Sequence, residues 1–444
     1  MPSQIPLLLC IVFIMFLFRM DFKRKSNVSR ALWVPLIWIM IIGSRPVAQW
    51  LNLGTGIESP ESYFEGNPVD RTVLLILMIA GLFLLFKRNI YWSKTLKNNV
   101  WLVLFFLYAG ISVLWSDFPG VAFRRWIKTT GDFIMVLIVL TESDPIEALK
   151  TLVRRCMYVL IPLSIVFIKY YPDLGIQYDF WTGMRFYKGV SYNKNGLGNT
   201  CLICGFIFFW NLVTMWRKNN VFIKKKEILV HILFLLMTFW LLIKADSATS
   251  LACMLIGILI ILGLGLPIIR RNVRYMGTFI FFIVVVFFIL QLSFDIKGVL
   301  ISNLGRDPTL TGRTEIWKAL LDMKTNPLIG TGYESFWLGE RLRKSWETFV
   351  FGLNQAHNGY LEIYLNLGLI GLFLLISIIV SVYKKIYNTF IIDFDYGRFR
   401  LSFLIIFLLY NVTEATFKGL SIMWFIFLLI ALDVKRVPQF TRSN

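Results

Sequence analysis

The chain has 444 residues, 57% of them hydrophobic and 16% aromatic, with a mean hydropathy of +0.67. That is more apolar surface than a water-soluble domain can bury, so the composition excludes a soluble globular protein and points to a bilayer. A net charge of +20 would suggest nucleic acid as the partner of a soluble chain, but here the excess lies in loops between apolar runs, where it suits anionic lipid head groups. Membrane lipids are therefore expected partners and nucleic acid is not.

Continuous apolar runs at 5–18, 31–51, 71–86, 100–115, 126–141, 155–171, 196–215, 228–243, 250–269, 275–293, 359–382, 401–413 and 419–434 predict about thirteen spans. Their apolarity does not alternate, which selects helices over barrel strands. The cations of the first run, Arg19, Lys23, Arg24 and Lys25, follow it, and no small-residue cleavage site appears, so it reads as a retained helix and not a signal peptide. The connections at 19–30, 87–99, 217–226, 270–274 and 383–400 are rich in Lys and Arg, Lys224 and Arg274 among them, and fall in the cytoplasm by the positive-inside tendency. The alternate connections at 52–70, 116–125, 172–195 and 295–358 then face outward, as does the uncharged Met1-Pro2-Ser3-Gln4 start. The fold class is an all-α polytopic membrane protein of about 12 to 13 transmembrane helices, one membrane domain over 1–444, with one long extracytoplasmic loop.

All five cysteines lie in or beside apolar runs. Cys201 and Cys204 form a C-x-x-C without a second pair or a nearby histidine, which reads as helix packing and not zinc.

Ionisable groups in apolar surroundings are costly and tend to mark polar cavities or functional sites. On the outward side these are Arg45, Arg124, Arg125, Lys128, Lys244 and Asp246. Guanidinium groups there would bind phosphate oxygens in bidentate fashion. Local roles stand beside this reading: Lys128 and Lys169 snorkelling to the interface, Arg124 or Arg125 pairing with Asp117 or Asp132, and Lys244 pairing with Asp246. The polar stretch 185–198, with Tyr192 and Asn195, suits sugar hydroxyls and pyranose faces, but an ordinary loop has the same composition.

The loop at 295–358 is the one place for an extramembrane substructure, and it carries the proposed catalytic residues. Thr311, Gly312 and Arg313 open a short amphipathic helix that Asn326-Pro327 ends, Gly330-Thr331-Gly332 makes a turn, and Glu340 to Trp346 makes a second short helix. His357, with Asn358, Tyr360 and Glu362 after it, sits where the next run begins. The only other histidine, His231, lies in an apolar run, so His357 is the general-base candidate, with a structural capping role as the alternative. No paired aspartates occur in an outward loop, and there is no Walker A loop, Ser-x-x-Lys or Gly-x-Ser-x-Gly motif. No cofactor or metal is expected. A transporter would show inverted repeats or broken helices at matching positions, and the sequence reveals neither.

Several motifs in order resemble the O-antigen ligase and polysaccharide polymerase superfamily, and within it most resemble exopolysaccharide production proteins of the succinoglycan polymerisation type. They are Ser116-Asp117-Phe118-Pro119 with Arg124-Arg125, Ser191-Tyr192-Asn193-Lys194-Asn195, Asp246-Ser247-Ala248-Thr249-Ser250, Gly312-Arg313-Thr314-Glu315, Asn326-Pro327-Leu328-Ile329-Gly330 and His357-Asn358-Gly359-Tyr360-Leu361. The resemblance implies a C-type glycosyltransferase architecture in the bacterial inner membrane, with its site facing the periplasm. It further implies transfer from an undecaprenyl-diphosphate-linked oligosaccharide to an acceptor glycan, or to a lipid A core in a ligase, without metal or nucleotide. Other polysaccharide assembly proteins, such as a chain-length regulator, would be partners. Under it His357 becomes the base and Arg313, Arg125 and Arg45 hold the diphosphate. From the residues themselves, Arg124, Lys244, Tyr192, Asn195 and Tyr360 are expected as further substrate contacts.

Overall fold

The computed structural model describes residues 3–24, 27–53, 66–178, 183–217, 225–272, 313–349 and 353–435. The expected span at 275–293, the 295–312 part of the outer loop with Thr311 and Gly312, much of the 52–70 connection, and Lys25, Lys224 and Arg274 lie outside the described residues. The other twelve expected runs each coincide with helix. In chain order these are α1 (Gln4–Phe22), α2 (Trp33–Gly43), α3 (Pro68–Phe86), α4 (Val100–Ile111), α5 (Pro119–Leu140) and α6 (Pro145–Tyr170). A small antiparallel hairpin of β1 (Ile176–Tyr178) and β2 (Arg185–Tyr187) precedes α7 (Lys194–Arg217), α8 (Lys225–Ala245) and α9 (Ala248–Leu264). The outer loop supplies α10 (Arg313–Leu321) and α11 (Gly339–Thr348), and the chain ends with α12 (Gly359–Ile392), α13 (Phe394–Thr413) and α14 (Ile422–Ala431).

The protein is an all-α polytopic membrane protein. Among the described residues six helices, α1, α3, α6, α7, α8 and α12, are long and apolar enough to cross a membrane. A seventh is added if Trp92–Asn98 and Val100–Trp115, bent by 88°, form one span. Helices α5 and α13 are as long but carry Arg124, Arg125, Lys128 and Asp132, or Asp395, Arg398 and Arg400. The expected boundaries shift for related reasons. Helix α5 starts at Pro119 and not at 126, because its first turns are charged, and α12 continues past Lys384 and Lys385. The 31–51 run breaks at Ser44, ahead of Pro46, which cannot donate to a helical ladder.

Helix α7 packs on α8 and α9, α9 on α13, α12 on α13 and α4, α3 on α5, and α1 on α6. At the centre stands α14, all ten of whose residues are buried. With no polar face it has no stable place except the interior, and at about 15 Å it reaches through only half of a hydrocarbon core. Its last carbonyls lack intrahelical donors, and cations meet them: Lys385 Nζ lies 2.9 Å from the Ala431 carbonyl, and Arg400 Nε lies 2.9 Å from that of Ile430. Ahead of α14, Asp132 accepts the Trp38 indole N–H at 2.7 Å and the Leu420 N–H at 2.9 Å, tying the linker before α14 to α2 and α5.

Helix α12 is broken at Gly368, where φ is 66°. The exposed backbone is taken up by residues 327–332: Thr331 N–H bonds the Leu365 carbonyl (3.1 Å), Gly332 N–H that of Asn366 (2.9 Å), and Leu369 N–H reaches the Pro327 carbonyl (2.9 Å). A break inside a membrane helix is tolerated where protein satisfies the freed groups, and hydropathy cannot register it. The absence of broken spans expected from the sequence is thus corrected at Gly368 and at the bend near Asn99. A Cβ at Gly368 would stand 2.3 Å from the Leu328 carbonyl, in a backbone region that side chains disfavour. Gly368→Ala is expected to cost about 1–3 kcal/mol, read as a lowered thermal unfolding midpoint in detergent. Leu369→Ala, at an exposed neighbour, should leave the midpoint close to wild type; equal midpoints for the two variants would refute the lock.

Candidate functional site

The described residues between α9 and α12 build their own small core. Ile316 and Leu320 of α10, Leu342 of α11, and Phe336, Trp337, Leu353 and Ala356 bury together against Leu365 of α12. This cap fixes the approach to His357. Trp317 Nε1 donates to the Ala356 carbonyl at 2.8 Å, the Glu362 carboxylate accepts the Ala356 N–H at 2.6 Å, and Gly359 N–H bonds the Glu414 carbonyl at 3.0 Å. Asn358 caps α12 by accepting the Leu361 N–H at 3.0 Å. Between these anchors His357 adopts φ 50°, a left-handed conformation uncommon for a side-chain-bearing residue and costing about 1 kcal/mol or more.

Glu414, just past α13, gathers the site. Its carboxylate lies 3.6 Å from His357 Nδ1, accepts Arg313 NH2 at 3.0 Å and accepts Asn195 Nδ2 at 3.1 Å. Arg313 also donates to the Thr413 carbonyl, and the Gln355 amide lies 3.5 Å from the same histidine nitrogen. A carboxylate at Nδ1 favours the proton on that nitrogen, leaving the Nε2 lone pair to take a proton from another group. Among the described residues Nε2 has no hydrogen-bond partner.

Beside this cluster a small open cleft is lined by Tyr333, Glu334, Glu362, Asn366, Phe417 and Lys418, among others. Arg125 NH1 donates to the Glu334 carbonyl at 2.6 Å, bringing that guanidinium to the edge of the cleft. Glu362 is occupied by Trp337 Nε1 (2.9 Å) and Asn366 Nδ2 (3.3 Å) as well as Ala356, so it is a framework group. Burial, with Glu334 alongside, pushes the Tyr333 phenol well above its ordinary value and keeps it neutral, 2.9 Å from the Thr129 hydroxyl.

The structure therefore brings His357, Arg313 and Asn195 together and sets Arg125 at the adjoining cleft. Tyr360 stands behind Phe417, with its hydroxyl on the Leu408 carbonyl at 3.1 Å and its ring edge-on to Phe417, and it is not among the residues that line the cleft. Arg45 is buried against the loop before α7, donating to the carbonyls of Leu174, Gly189 (2.6 Å) and Ser191 (3.2 Å). Lys244 lies over the rings of Tyr187 and Trp240, while Arg124 and Tyr192 are exposed. The pairing considered for Arg124 and Arg125 goes elsewhere: Asp117 pairs with Arg341 at 2.6 Å, and Asp132 takes Trp38 and Leu420. Sequence reasoning missed Glu414, Lys418 and Glu334. The first two are the charged residues of the short linker 414–418, which the loop-charge argument puts on the same face as His357.

Residues 232–376, which include Arg313 and His357, match the family described as O-antigen ligase. That stretch is similar to O-antigen ligases. Asn195, Arg125 and Glu414 lie outside the matched stretch, so the matched residues Arg313 and His357 meet the rest of the chain at the Glu414 carboxylate. Over 309 residues, 66% of this chain and 67% of the relative, the sequence is 26% identical to the exopolysaccharide production protein ExoQ of Rhizobium meliloti (strain 1021).

A shared carboxylate makes its partners energetically dependent. In a double-mutant cycle, Glu414→Gln and Arg313→Gln should show a coupling of about 1–2 kcal/mol in unfolding free energy. Strict additivity would mean that the contact does not hold the site together.

Proposed function

We propose that the protein transfers glycan from an undecaprenyl diphosphate carrier to an acceptor sugar hydroxyl on the extracytoplasmic face, extending a polysaccharide. His357 Nε2 takes the acceptor hydroxyl proton, the freed oxygen attacks the anomeric carbon, and the bond from that carbon to the diphosphate oxygen breaks with its electron pair on the leaving group. One displacement inverts the anomeric centre. Arg313 and Arg125 stabilise the departing diphosphate, the work that metal ions do in many transferases, and Lys418 adds a third cation at the cleft. Glu414 orients the imidazole. Arg45 holds the loop that delivers Asn195 to the carboxylate.

The observation that carries this reading is the Glu414 carboxylate shared by His357 and Arg313, with Nε2 left to a substrate. Support comes from the ligase-family match over both residues and from the likeness to a protein named for exopolysaccharide production. The outward orientation is supported by the loop charges: Arg24, Arg88, Arg154 and Arg217 lie at the opposite end of the bundle from His357. The family description keeps a second reading in view, ligation to a lipid A core in place of chain growth.

In cells, His357→Ala should remove long-chain polysaccharide while carrier-linked repeat units accumulate on the outer face. Accumulation on the cytoplasmic face would point to a flippase. With purified protein and synthetic carrier-linked oligosaccharide, chain growth should persist in EDTA and without nucleotide. Loss of growth in EDTA would overturn the arginine-based mechanism, and transfer to lipid A core alone would establish the ligase.

A further inference from the structure

Cations pair with carboxylates at both ends of the bundle, Arg313 with Glu414 and Arg341 with Asp117 on the His357 side, and the cations of the β1–β2 hairpin depart from that pattern. At the end opposite His357, arginines meet carboxylates: Arg154 and Arg155 on Asp21 at 2.7 and 2.6 Å, Arg217 on Asp395 at 2.7 Å, and Arg88 on Glu142. At the His357 end, around the β1–β2 hairpin, cations lie on aromatic rings. Arg185 stands 6.0 Å from the Tyr178 ring centroid, Lys244 5.4 Å from that of Tyr187, and Lys194 4.1 Å from that of Phe186. Among the described residues neither Arg185, Lys188 nor Lys244 has a carboxylate within ion-pair distance.

The hairpin register explains the arrangement. Tyr178 pairs with Arg185 and Ile176 with Tyr187, so Tyr178, Arg185 and Tyr187 share one face, and Phe186 turns to the other. Tyr178 is 56% exposed, which leaves ring and guanidinium open together. Lys188, next along the chain, is held below the ordinary lysine value by burial and by the Arg45 guanidinium, so positive charge is concentrated here at a cost that an anion would relieve. The strip is continuous with the site, because the loop after Lys188 carries Asn195 to the Glu414 carboxylate.

We propose that the hairpin and the loop after it form a binding strip for an acidic glycan, with rings on pyranose faces and Arg185, Lys188 and Lys244 on carboxylate or acidic ester substituents. This rests on the glycan-transfer reading and narrows its substrate to a chain bearing negative charge. Rings alone serve neutral sugars; rings with cations beside them select charged ones. Anionic lipid head groups are the competing occupant for cations near the ends of helices. They fit the exposed hairpin less well, since Tyr178 and Arg185 lie on strands outside the helices.

The test uses the full-length protein in detergent micelles with oligogalacturonate as the probe and dextran of equal length as the neutral control. Oligogalacturonate should bind saturably and weaken with salt, dextran should bind at least about tenfold more weakly, and Arg185→Gln with Lys244→Gln should reduce affinity by about fivefold to tenfold. Charge reversal in Arg185→Glu should reduce it further, with an unchanged size-exclusion profile showing that each variant is folded. Equal binding of both oligosaccharides, no binding of oligogalacturonate, or affinity unaltered in the variants would overturn the proposal. So would displacement of the probe by phosphatidylglycerol micelles but not by phosphatidylcholine micelles, which would assign the strip to lipid. Binding is measured in His357→Ala as well: it should be retained there, so a failed transfer mechanism and a failed glycan strip give different results.

Discussion

Four segments far apart in sequence meet at one carboxylate. Asn195 comes from the first turn of α7, Arg313 from the start of α10, His357 from the turn before α12, and Glu414 from the end of α13. An acidic group 6% exposed is unfavourable unless donors surround it, and removing one partner from a buried pair costs more than the pair contributes over apolar replacements. The arrangement is therefore demanding on both sides: the donors need Glu414, and Glu414 needs the linker after α13 held in place. Asn411 does the latter by accepting the Thr416 N–H at 2.8 Å, and Asp132 does it from α5 by accepting the Leu420 N–H.

The same linker leads into α14, which joins the site to the middle of the protein. Because α14 is buried on every side and ends against Lys385 and Arg400, its position is set by packing and by cations at its far end. The linker starts from a fixed post and is pinned twice before it reaches Glu414. A constellation of side chains carried on loops gains positional accuracy when the loops are short and tied to rigid elements, and here the segment before His357 is tied as well, through its backbone pairing with the break at Gly368.

Helices were legible in the sequence because twelve described apolar runs have no other stable arrangement in hydrocarbon. Their ends were less so. The first turns of α5 are charged, and a hydropathy reading therefore starts that helix seven residues late, at 126 and not at Pro119. His357 was readable as a lone imidazole in a long loop, and Arg313 through the resemblance of the motif around it, and the structure brings them to one carboxylate. Glu414 was not, because a single acid in a short linker has no period or motif, and its 57-residue separation from His357 (414 − 357 = 57) hides the contact. Arg45 shows the opposite limit. Its polarity in an apolar run was visible, but whether its donors go to backbone carbonyls or to a phosphate depends on the tertiary path of residues 174–191.

Backbone strain marks the same region. Of the five non-glycine residues with positive φ among those described, Glu334 and His357 border the cleft or the cluster, and Leu420 ends the linker between Glu414 and α14. Each such conformation costs on the order of 1 kcal/mol and persists only where neighbours determine it more strongly than local preference does. At Leu420 the determining contact is Asp132, at Glu334 it includes Arg125 on the carbonyl, and at His357 it is the set of bonds on Ala356 and Gly359. Hydrogen bonds of about 1 kcal/mol each are enough to hold these residues in place when several act on one short segment. Relaxing His357 to an ordinary conformation would swing the imidazole off Glu414 and break the bonds of both neighbours. The strain is therefore part of what holds the imidazole beside the carboxylate.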